Sequence, residues 1–505
     1  MTNSISAYTS ENRGRVLLLF LLFLLAIYEF VTAGFNAFAI VCMLPFVVLF
    51  IYAAFKWRMF AFWCLIVVNY VLAMKDINLP IPMSLPNEML ELTLIGIAII
   101  DARQDPQFSR AFNLMFVAIM IWFTLCLLEV FNDTCDLGIN IANWFTGFRL
   151  IALQLVWILL VFCVYVSTPE TLNKYLKVWA CLLLFSTFWT FKQKYFGFTD
   201  AENLWMETRG RTTHIINGGT LTRFFSTFDN AASYGCHAAA AAAAFIIFGI
   251  SNSIKRERIF FLVTAVLVIW GMFQTGTRTA IFCLGAGLVV YIFLSKSIKI
   301  AVPFSITLVL FTCMLAFTNI GNSNQQIRRM RTAFSSNDAS ANARDINKDA
   351  IRKYMKDAPW GIGLGSSPEN IPANNKFRKL SSIPPDSEYV YIWVHSGPIG
   401  VTVFTICIVL MFLGGCQIVL FRLHNKTLAG IGAGLCCAFV AINLGGYANQ
   451  VLYGFPNGVT FFGGMAIVYI LPYLEPEWEA FEKKRMTEIE EKKRLKLEKK
   501  KASRV

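Results

Sequence analysis

Apolar and polar residues are separated into long blocks along this chain. Apolar runs of about 17–25 residues, the length that crosses a bilayer as a helix, recur from residue 15 to residue 474. We count about fourteen of them, and the shorter runs at 87–101 and 178–192 are also compatible with tilted or interfacial helices. The pattern predicts an all-α fold. It is a polytopic membrane helix bundle of about 12–14 transmembrane helices, with one long outward loop that carries short amphipathic helices.

Basic residues in the short turns predict the orientation of the bundle. Every second turn carries at least two of them, and these turns are Lys56/Arg58, Arg103/Arg110, Lys174/Lys177, Lys255/Arg256/Arg258, Lys296/Lys299 and Arg422/Lys426. Lys and Arg accumulate in short cytoplasmic turns, so these turns and both termini are predicted to be cytoplasmic. Two long polar segments, 193–230 and 320–390, then face outward.

The composition also indicates a membrane protein. Of the 505 residues, 56% are hydrophobic and 15% are charged, whereas soluble domains carry about 25% charged residues. The net charge of +14 is explained by the basic cytoplasmic turns. We therefore expect membrane lipids as partners and no nucleic acid.

Residues that commonly bind metals or cofactors form no cluster in the sequence. The thirteen cysteines show no C-x-x-C spacing, and nearly all lie in apolar runs; only Cys135 clearly falls in a water-facing loop. The four histidines show no metal-ligand spacing, and no P-loop or G-x-G-x-x-G is present. We expect no metal, no cofactor and no nucleotide-driven pump.

The first outward segment ends in RFFSTFDN (223–230), and the next helix contains seven consecutive alanines (238–244). Small residues let helices approach closely in lipid, so the alanine run predicts tight packing. The following outward turn, TGTRT (275–279), is short and carries Arg278. Its partner is either a lipid headgroup or an anionic ligand, and we favour the ligand.

The long outward loop is dense in charge, glycine and proline, and such loops on a rigid scaffold often carry function. Apolar residues recur at helical spacing from 346 to 358, which predicts a short amphipathic helix ended by Pro359 and the turn GIGLG (361–365). This helix lies on the membrane or forms a flap over a site, and the two are compatible. The basic triplet Arg328, Arg329 and Arg331 is predicted to contact either anionic headgroups or a ligand phosphate, and we favour headgroups.

The blocks divide the chain into four regions. These are N-terminal transmembrane helices (1–192), a core with both long outward loops (193–415), C-terminal transmembrane helices (416–474) and a charged cytoplasmic tail (475–505). The tail repeats EKKR and is predicted to be a solvated helix near anionic lipid.

Taken together, the outward motifs resemble the O-antigen ligase and polymerase superfamily of bacterial inner-membrane glycosyltransferases. The similar blocks, in order, are RFFSTFDN with YG (223–230, 234–235), TGTRTA (275–280), AR through DAPWGIGLG (343–365), DSEY (386–389) and HSGPIG (395–400). The resemblance implies a sugar chain on a polyprenyl diphosphate, transferred outside the cytoplasm to an acceptor hydroxyl without a metal. It also implies a multi-pass protein of the bacterial inner membrane.

The residues agree with this chemistry. Arginine presents a planar fork suited to phosphate oxygens, and fixed cations stabilise the charge that develops on a leaving diphosphate. Arg223, Arg278 and Arg344 are therefore the predicted diphosphate-binding residues.

Transfer also requires a base for the acceptor hydroxyl proton. Ligases of the family usually place a histidine where this chain has Asp386. The candidate catalytic residues are Asp386, Glu388 and, at the top of its helix, His395.

Three functions are compatible with this sequence. The first is polymerisation of undecaprenyl diphosphate-linked oligosaccharide repeats of O-antigen or a related surface polysaccharide. The second is ligation of the finished glycan to lipid A-core or protein. The third is non-enzymatic carriage of the lipid-linked sugar, for which charged residues near the membrane midplane would be expected. Charge here collects at the outer face instead, which favours an enzyme.

Overall fold

The fold is almost entirely helical. The computed structural model describes residues 13–77, 82–101, 107–216, 221–323, 325–331 and 339–502. Within them, the only strands are the two-residue β1 (Ile215–Ile216) and β2 (Leu221–Thr222), which pair antiparallel. The predicted all-α fold is confirmed.

The helices before residue 200 form the N-terminal part of the bundle. They are α1 (Arg13–Ala33), α2 (Phe35–Lys56), α3 (Arg58–Val71), α4 (Leu85–Asp101), α5 (Leu114–Leu128), α6 (Ile141–Phe148), α7 (Gln154–Tyr165) and α8 (Pro169–Tyr195). The start of α8 shows how local sequence sets a boundary. Thr168 caps the helix by accepting from the Thr171 amide, and Pro169 occupies the first turn, where its missing N–H costs nothing.

The helices after residue 200 build the core, the loop region and the C-terminal part. They are α9 (Asp200–Trp205), α10 (Arg211–His214), α11 (Ala231–Ser251), α12 (Lys255–Gln274), α13 (Arg278–Leu294), α14 (Ile298–Phe317), α15 (Gln325–Arg331), α16 (Ala339–Met355), α17 (Phe377–Ser381), α18 (Glu388–Gln417), α19 (Lys426–Ala448) and α20 (Asn457–Ala502). The predicted amphipathic loop helix is α16, which begins several residues earlier than the pattern indicated.

Many of these helices have the length and composition of membrane spans. Among the described residues, seven stretches qualify in full: Leu114–Phe131, Ile141–Tyr165, Ala231–Ser251, Lys255–Gln274, Glu388–Arg422, Lys426–Ala448 and Asn457–Glu491. Shorter apolar segments are Leu17–Thr32, Pro45–Lys56, Arg58–Val71, Arg278–Leu294 and Val302–Met314. The chain is a polytopic membrane bundle, as predicted.

Helix α11 lies at the centre of the bundle. Every alanine from 238 to 244 is fully buried, and α11 packs against α12, α13 and α19. The close approach is visible at Gly287 of α13, where an added Cβ would lie 3.0 Å from the Cβ of Ala243. The alanine run therefore serves close packing, as its small side chains predicted.

Residues 339–387 form a compact unit over one end of the bundle, which we call the loop cap. It encloses a small hydrophobic core, to which Cys135 and Val394 contribute from outside the unit and Ile351, Met355, Ala358, Ile362, Ile371, Phe377 and Leu380 from within it. Cys135 lies in a loop, but its side chain is buried in this core rather than facing water. Burial raises the pKa of the Cys135 thiol to about 11, so the thiol is a packing group.

The glycine turn at 361–365 joins the loop cap to α18. The Ile362 amide donates to the Val394 carbonyl (2.9 Å), and the Gly363 amide donates to the His395 carbonyl (3.0 Å). Gly361 has φ +80°, and a Cβ there would overlap the carbonyl group of His395. Glycine is required at this position by both the positive φ and the close backbone approach.

Helix α20 runs without interruption from the membrane bundle into the charged tail. Its Glu475 accepts hydrogen bonds from the amides of His424 and Asn425, both at 2.6 Å, in the turn before α19. Residue 475, predicted as the start of the tail, therefore lies inside one continuous helix. The carboxylate anchors this end of the tail to the bundle.

Candidate active site

A cavity of about 670 Å³ opens between the loop cap and the ends of several bundle helices. Four arginines line it, and we call it the arginine cavity: Arg223, Arg278, Arg329 and Arg344. Two carboxylates, Asp229 and Asp386, also line it. The three arginines selected from the sequence therefore lie around one space, although they are far apart in the chain.

Arg223 is held in a fixed orientation by the turns around it. Its Nε donates to the Thr275 carbonyl at 3.1 Å, and its Nη1 donates to the Thr213 carbonyl at 2.9 Å. Its Nη2 donates to the Thr277 hydroxyl at 3.0 Å. Because a guanidinium has five N–H donors, this arrangement fixes the side chain and leaves donors for a ligand.

The pKa of Arg223 is lowered first by burial and then by the neighbouring arginines. Burial lowers it from 12.5 to about 10, and repulsion from Arg329, Arg278 and Arg344 contributes in that order. The side chain is still charged at neutral pH. Repulsion among the four guanidinium groups is unfavourable in the free protein, and a bound anion reduces it.

The turn at 275–279 places Arg278 at the first position of α13. Gly276 has φ +57°, which lets the chain reverse directly between α12 and α13. The Thr277 hydroxyl accepts from Arg223 and donates to the Ala231 carbonyl at 3.0 Å. The TGTR motif therefore connects the two predicted arginines through one threonine.

The loop cap contributes Arg344 and Asp386. Arg344 Nη2 donates to Asn449 Oδ1 at 3.2 Å, which anchors the middle of α16 to the end of α19. Asp386 adopts φ +55° just before α18, and its Oδ2 accepts from Asn347 Nδ2 at 2.8 Å. Helix α16 thus carries the third arginine, Arg344, and its Asn347 holds the Asp386 carboxylate at the cavity.

Arg329 is the lining residue that sequence reasoning assigned elsewhere. Of the two predicted partners of the triplet at 328–331, headgroups were favoured over a ligand phosphate, but Arg329 Nε donates to the Gly276 carbonyl at 2.7 Å and its side chain lines the cavity. No local pattern distinguishes it from its basic neighbours. Its position depends on how α15 packs against the turn at 275–279.

Helix ends add further positive potential. Both α11 and α13 begin at the cavity, since Ala231, Ala232 and Arg278 line it, and helix N-termini favour anions. His214 contributes a neutral contact, because its Nε2 accepts from the Ala231 amide at 3.1 Å. Burial, followed by repulsion from Arg223, lowers the pKa of His214 to about 4.

The two carboxylates in the lining have different partners. Asp229 forms a salt bridge with Lys75 at 3.1 Å, and the same ammonium lies 4.4 Å from the Trp205 ring centroid. Asp386 accepts from an uncharged amide, that of Asn347. Asp229 is therefore paired with a cation, whereas Asp386 is held by a neutral amide.

Glu388 and His395, the other two candidate catalytic residues, are not among the residues that line the arginine cavity. Glu388 is buried and accepts from the Leu452 amide at 3.1 Å. His395 is buried beside the glycine turn, and its Nδ1 bonds to the Gly363 carbonyl at 3.0 Å. The structure brings only Asp386 of these three to the arginines.

Comparison with known proteins supports the same region. Residues 263–405 match the model of the O-antigen ligase family, and no curated protein matches the chain. The matched segment contains Arg278, Arg344 and Asp386 and overlaps most of the stretch where the motifs resemble this superfamily. The match supports a membrane glycosyltransferase of the O-antigen ligase/polymerase type. The protein is therefore a polytopic membrane protein whose residues 263–405 are similar to the O-antigen ligase family.

Proposed function

We propose that this protein polymerises oligosaccharide repeats carried on undecaprenyl diphosphate, as a membrane glycosyltransferase making O-antigen or a related surface polysaccharide. The arginine cavity carries the proposal. There, guanidinium groups from four separate stretches of chain line the same space as the carboxylate of Asp386.

The arginines have a specific task in this reaction. The acceptor oxygen attacks the anomeric carbon of the donor sugar, and the bond from that carbon to the diphosphate oxygen breaks. The diphosphate leaves with the bonding electron pair, so negative charge grows on it as the bond breaks. Fixed cations placed there in advance stabilise that charge without reorganising, and removal of one such donor typically lowers the rate about 10²–10³-fold.

Asp386 is the proposed base. The acceptor hydroxyl loses its proton as its oxygen bonds to the anomeric carbon, and the Asp386 carboxylate accepts that proton. Asn347 orients the carboxylate through its hydrogen bond to Oδ2. General base catalysis of this kind contributes about 10²–10⁴-fold to a rate.

We place the cavity on the outer side of the bacterial inner membrane. Helix α13 begins at the cavity with Arg278, and α19 ends there with Ala448. At the opposite ends of these helices, Lys296 Nζ donates to the Leu423 carbonyl at 3.3 Å. The turns that contain Lys296 and Lys426 are rich in basic residues, as cytoplasmic turns are. The charge pattern thus supports an outward-facing cavity.

Ligation of a finished glycan to lipid A-core or protein is the second candidate. The description of the matched family, O-antigen ligase, favours it. Both reactions use the same donor and differ in the acceptor. Carriage without chemistry is less well supported, because the arginines gather at helix ends and loops rather than along a path through the bundle.

The test is a glycan ladder from a strain that lacks the gene and is complemented with wild type, Arg278→Ala or Arg223→Ala. We expect both variants to lose polymer while reaching the membrane at the wild-type level. Arg209→Ala is the matched control, since Arg209 is exposed in the same outward segment and does not line the cavity. Unchanged ladders from both cavity variants would refute the proposal.

The same strain separates the two reactions. Loss of a polymerase leaves single repeats on the lipid A-core, whereas loss of a ligase leaves full-length chains on the carrier lipid. Single repeats on the core would favour polymerisation. Long chains that stay on the carrier lipid would show that the protein is a ligase instead.

A further inference from the structure

A second cavity, of about 440 Å³, lies beside the arginine cavity. We call it the loop cavity, because the glycine turn and the end of the loop cap form much of its wall. Gln450 lines both cavities. Pro385 lines the loop cavity and the next residue, Asp386, lines the arginine cavity. The two cavities therefore share Gln450 as a wall residue and are separated at the Pro385–Asp386 segment, next to the proposed base.

We propose that the loop cavity binds the terminal sugar of the acceptor glycan and presents its hydroxyl to Asp386. This inference rests on the proposed function and adds to it the site of the second substrate. The volume lies within the range of about 300–1,000 Å³ that is usual for small-molecule sites.

The wall of the loop cavity is rich in hydrogen-bond acceptors. The hydroxyls of Thr146, Ser366 and Ser381 each donate to a backbone carbonyl, at 2.7, 2.7 and 2.9 Å. Each hydroxyl thereby uses its one proton within the protein and keeps its lone pairs. Acceptors of this kind suit a sugar, which brings several O–H donors.

His395 supplies the most specific acceptor. The residue is only 7% exposed, and its Nδ1 must carry a proton because its partner is the Gly363 carbonyl. In the neutral ring Nε2 then holds a lone pair. Nε2 has no hydrogen-bond partner within the described part of the chain. A buried imidazole with one nitrogen held by the protein leaves the other for a ligand.

The charge balance favours a neutral ligand over a phosphate group. Among the described residues, Arg149 is the one that lines this cavity with a permanent charge, and its Nη1 forms a salt bridge with Glu88 Oε2 at 3.2 Å. Its Nε is buried without a partner among the described residues. Glu88 therefore balances the charge of Arg149 within the wall. The neighbouring arginine cavity, by contrast, is suited to the diphosphate.

Two probes test the two sites separately on the purified full chain. The first is the repeat-unit oligosaccharide released from its carrier by mild acid, which lacks the diphosphate. The second is undecaprenyl diphosphate, which lacks the sugar. We expect the wild-type protein to bind both in titration calorimetry.

His395→Asn and His395→Gln distinguish ligand binding from a structural role. Asn retains an amide group near the Nδ1 position and can still donate to Gly363, but it has no group at the Nε2 position. Gln reaches that position and gives up the contact with Gly363. If His395 binds sugar, Asn weakens oligosaccharide affinity about tenfold, the loss expected for one buried hydrogen bond, and Gln weakens it less. The reverse order would overturn the assignment.

Further variants complete the test. Gln450→Ala is expected to weaken oligosaccharide binding severalfold, and Asn374→Ala, an exposed loop-cap change outside both cavity walls, is expected to have no effect. Arg278→Ala should weaken the binding of undecaprenyl diphosphate and leave the binding of the oligosaccharide unchanged. Oligosaccharide binding that is unchanged in His395→Asn and Gln450→Ala would overturn the loop-cavity site alone. Undecaprenyl diphosphate binding that is unchanged in Arg278→Ala would instead contradict the proposed function.

Discussion

Arg344 and Asn449 connect the loop cap to the membrane bundle, with 3.2 Å between the Arg344 Nη2 and the Asn449 Oδ1. Asn449 continues the connection, since its Nδ2 donates to the Thr279 hydroxyl at 3.3 Å. Thr279 follows Arg278 in the first turn of α13. One asparagine therefore fixes the spacing between an arginine of the loop and an arginine of the bundle.

We predict that Asn449→Ala lowers the initial rate of polymer formation about tenfold or more. A hydrogen bond to a charged group is worth about 1.5–3 kcal/mol, and its loss releases Arg344 from its position. The rate is measured with purified protein and undecaprenyl diphosphate-linked repeats. Asn374→Ala serves as the control, and a wild-type rate for Asn449→Ala would show that Arg344 needs no such anchor.

Asp386→Asn is expected to lower the transfer rate about 10²–10⁴-fold, the usual contribution of a general base. The amide oxygen can still accept the bond from Asn347, so the fold of the loop cap is retained. Asp349→Asn is the matched control on the same loop. Its salt bridge with Arg352 is exposed and therefore contributes little. A transfer rate of Asp386→Asn close to that of the wild type would show that another group is the base.

Gly361→Ala is expected to loosen the loop cap. A non-glycine residue at positive φ costs about 1–2 kcal/mol, and the new Cβ would also overlap the His395 carbonyl. Limited proteolysis of residues 339–387 should therefore become faster, and polymer should be lost. Gly454→Ala provides the comparison, because no atom lies within 4 Å of a Cβ built there. Equal proteolysis of the two variants would contradict the prediction.

His214 should make the free energy of unfolding of the protein depend on pH. Its pKa is lowered in the folded protein from 6.5 to about 4, so the unfolded chain takes up the proton first. The stabilisation is complete above about pH 6.5 and falls as the pH decreases towards 4, by about 3 kcal/mol in all. Thermal unfolding between pH 7.5 and 4.5 measures this loss.

His214→Gln should remove most of that pH dependence. His424→Gln should leave it unchanged, because the His424 side chain is 85% exposed. A slope that persists in His214→Gln would assign the effect to other groups.

The local sequence pattern was sufficient to predict the helices and to select Arg223 and Arg278 as candidate residues. Apolar runs specify membrane helices because length and hydrophobicity act along one segment. Arg223 was recognised because it opens the motif RFFSTFDN at the end of a long outward segment, and Arg278 because it lies in the short outward turn TGTRT. The alanine run predicted close packing because small side chains have that effect in any neighbouring context.

Contacts between distant segments decided the rest of the site. Asp386, Glu388 and His395 lie within ten residues of one another, yet the left-handed conformation at Asp386 and the start of α18 send them to different surroundings. Arg329 reaches the cavity only because α15 packs against the turn at Gly276. Hydrophobic periodicity specifies which residues form a helix. It carries no information on which helix end meets which loop, since that depends on the packing of the whole bundle.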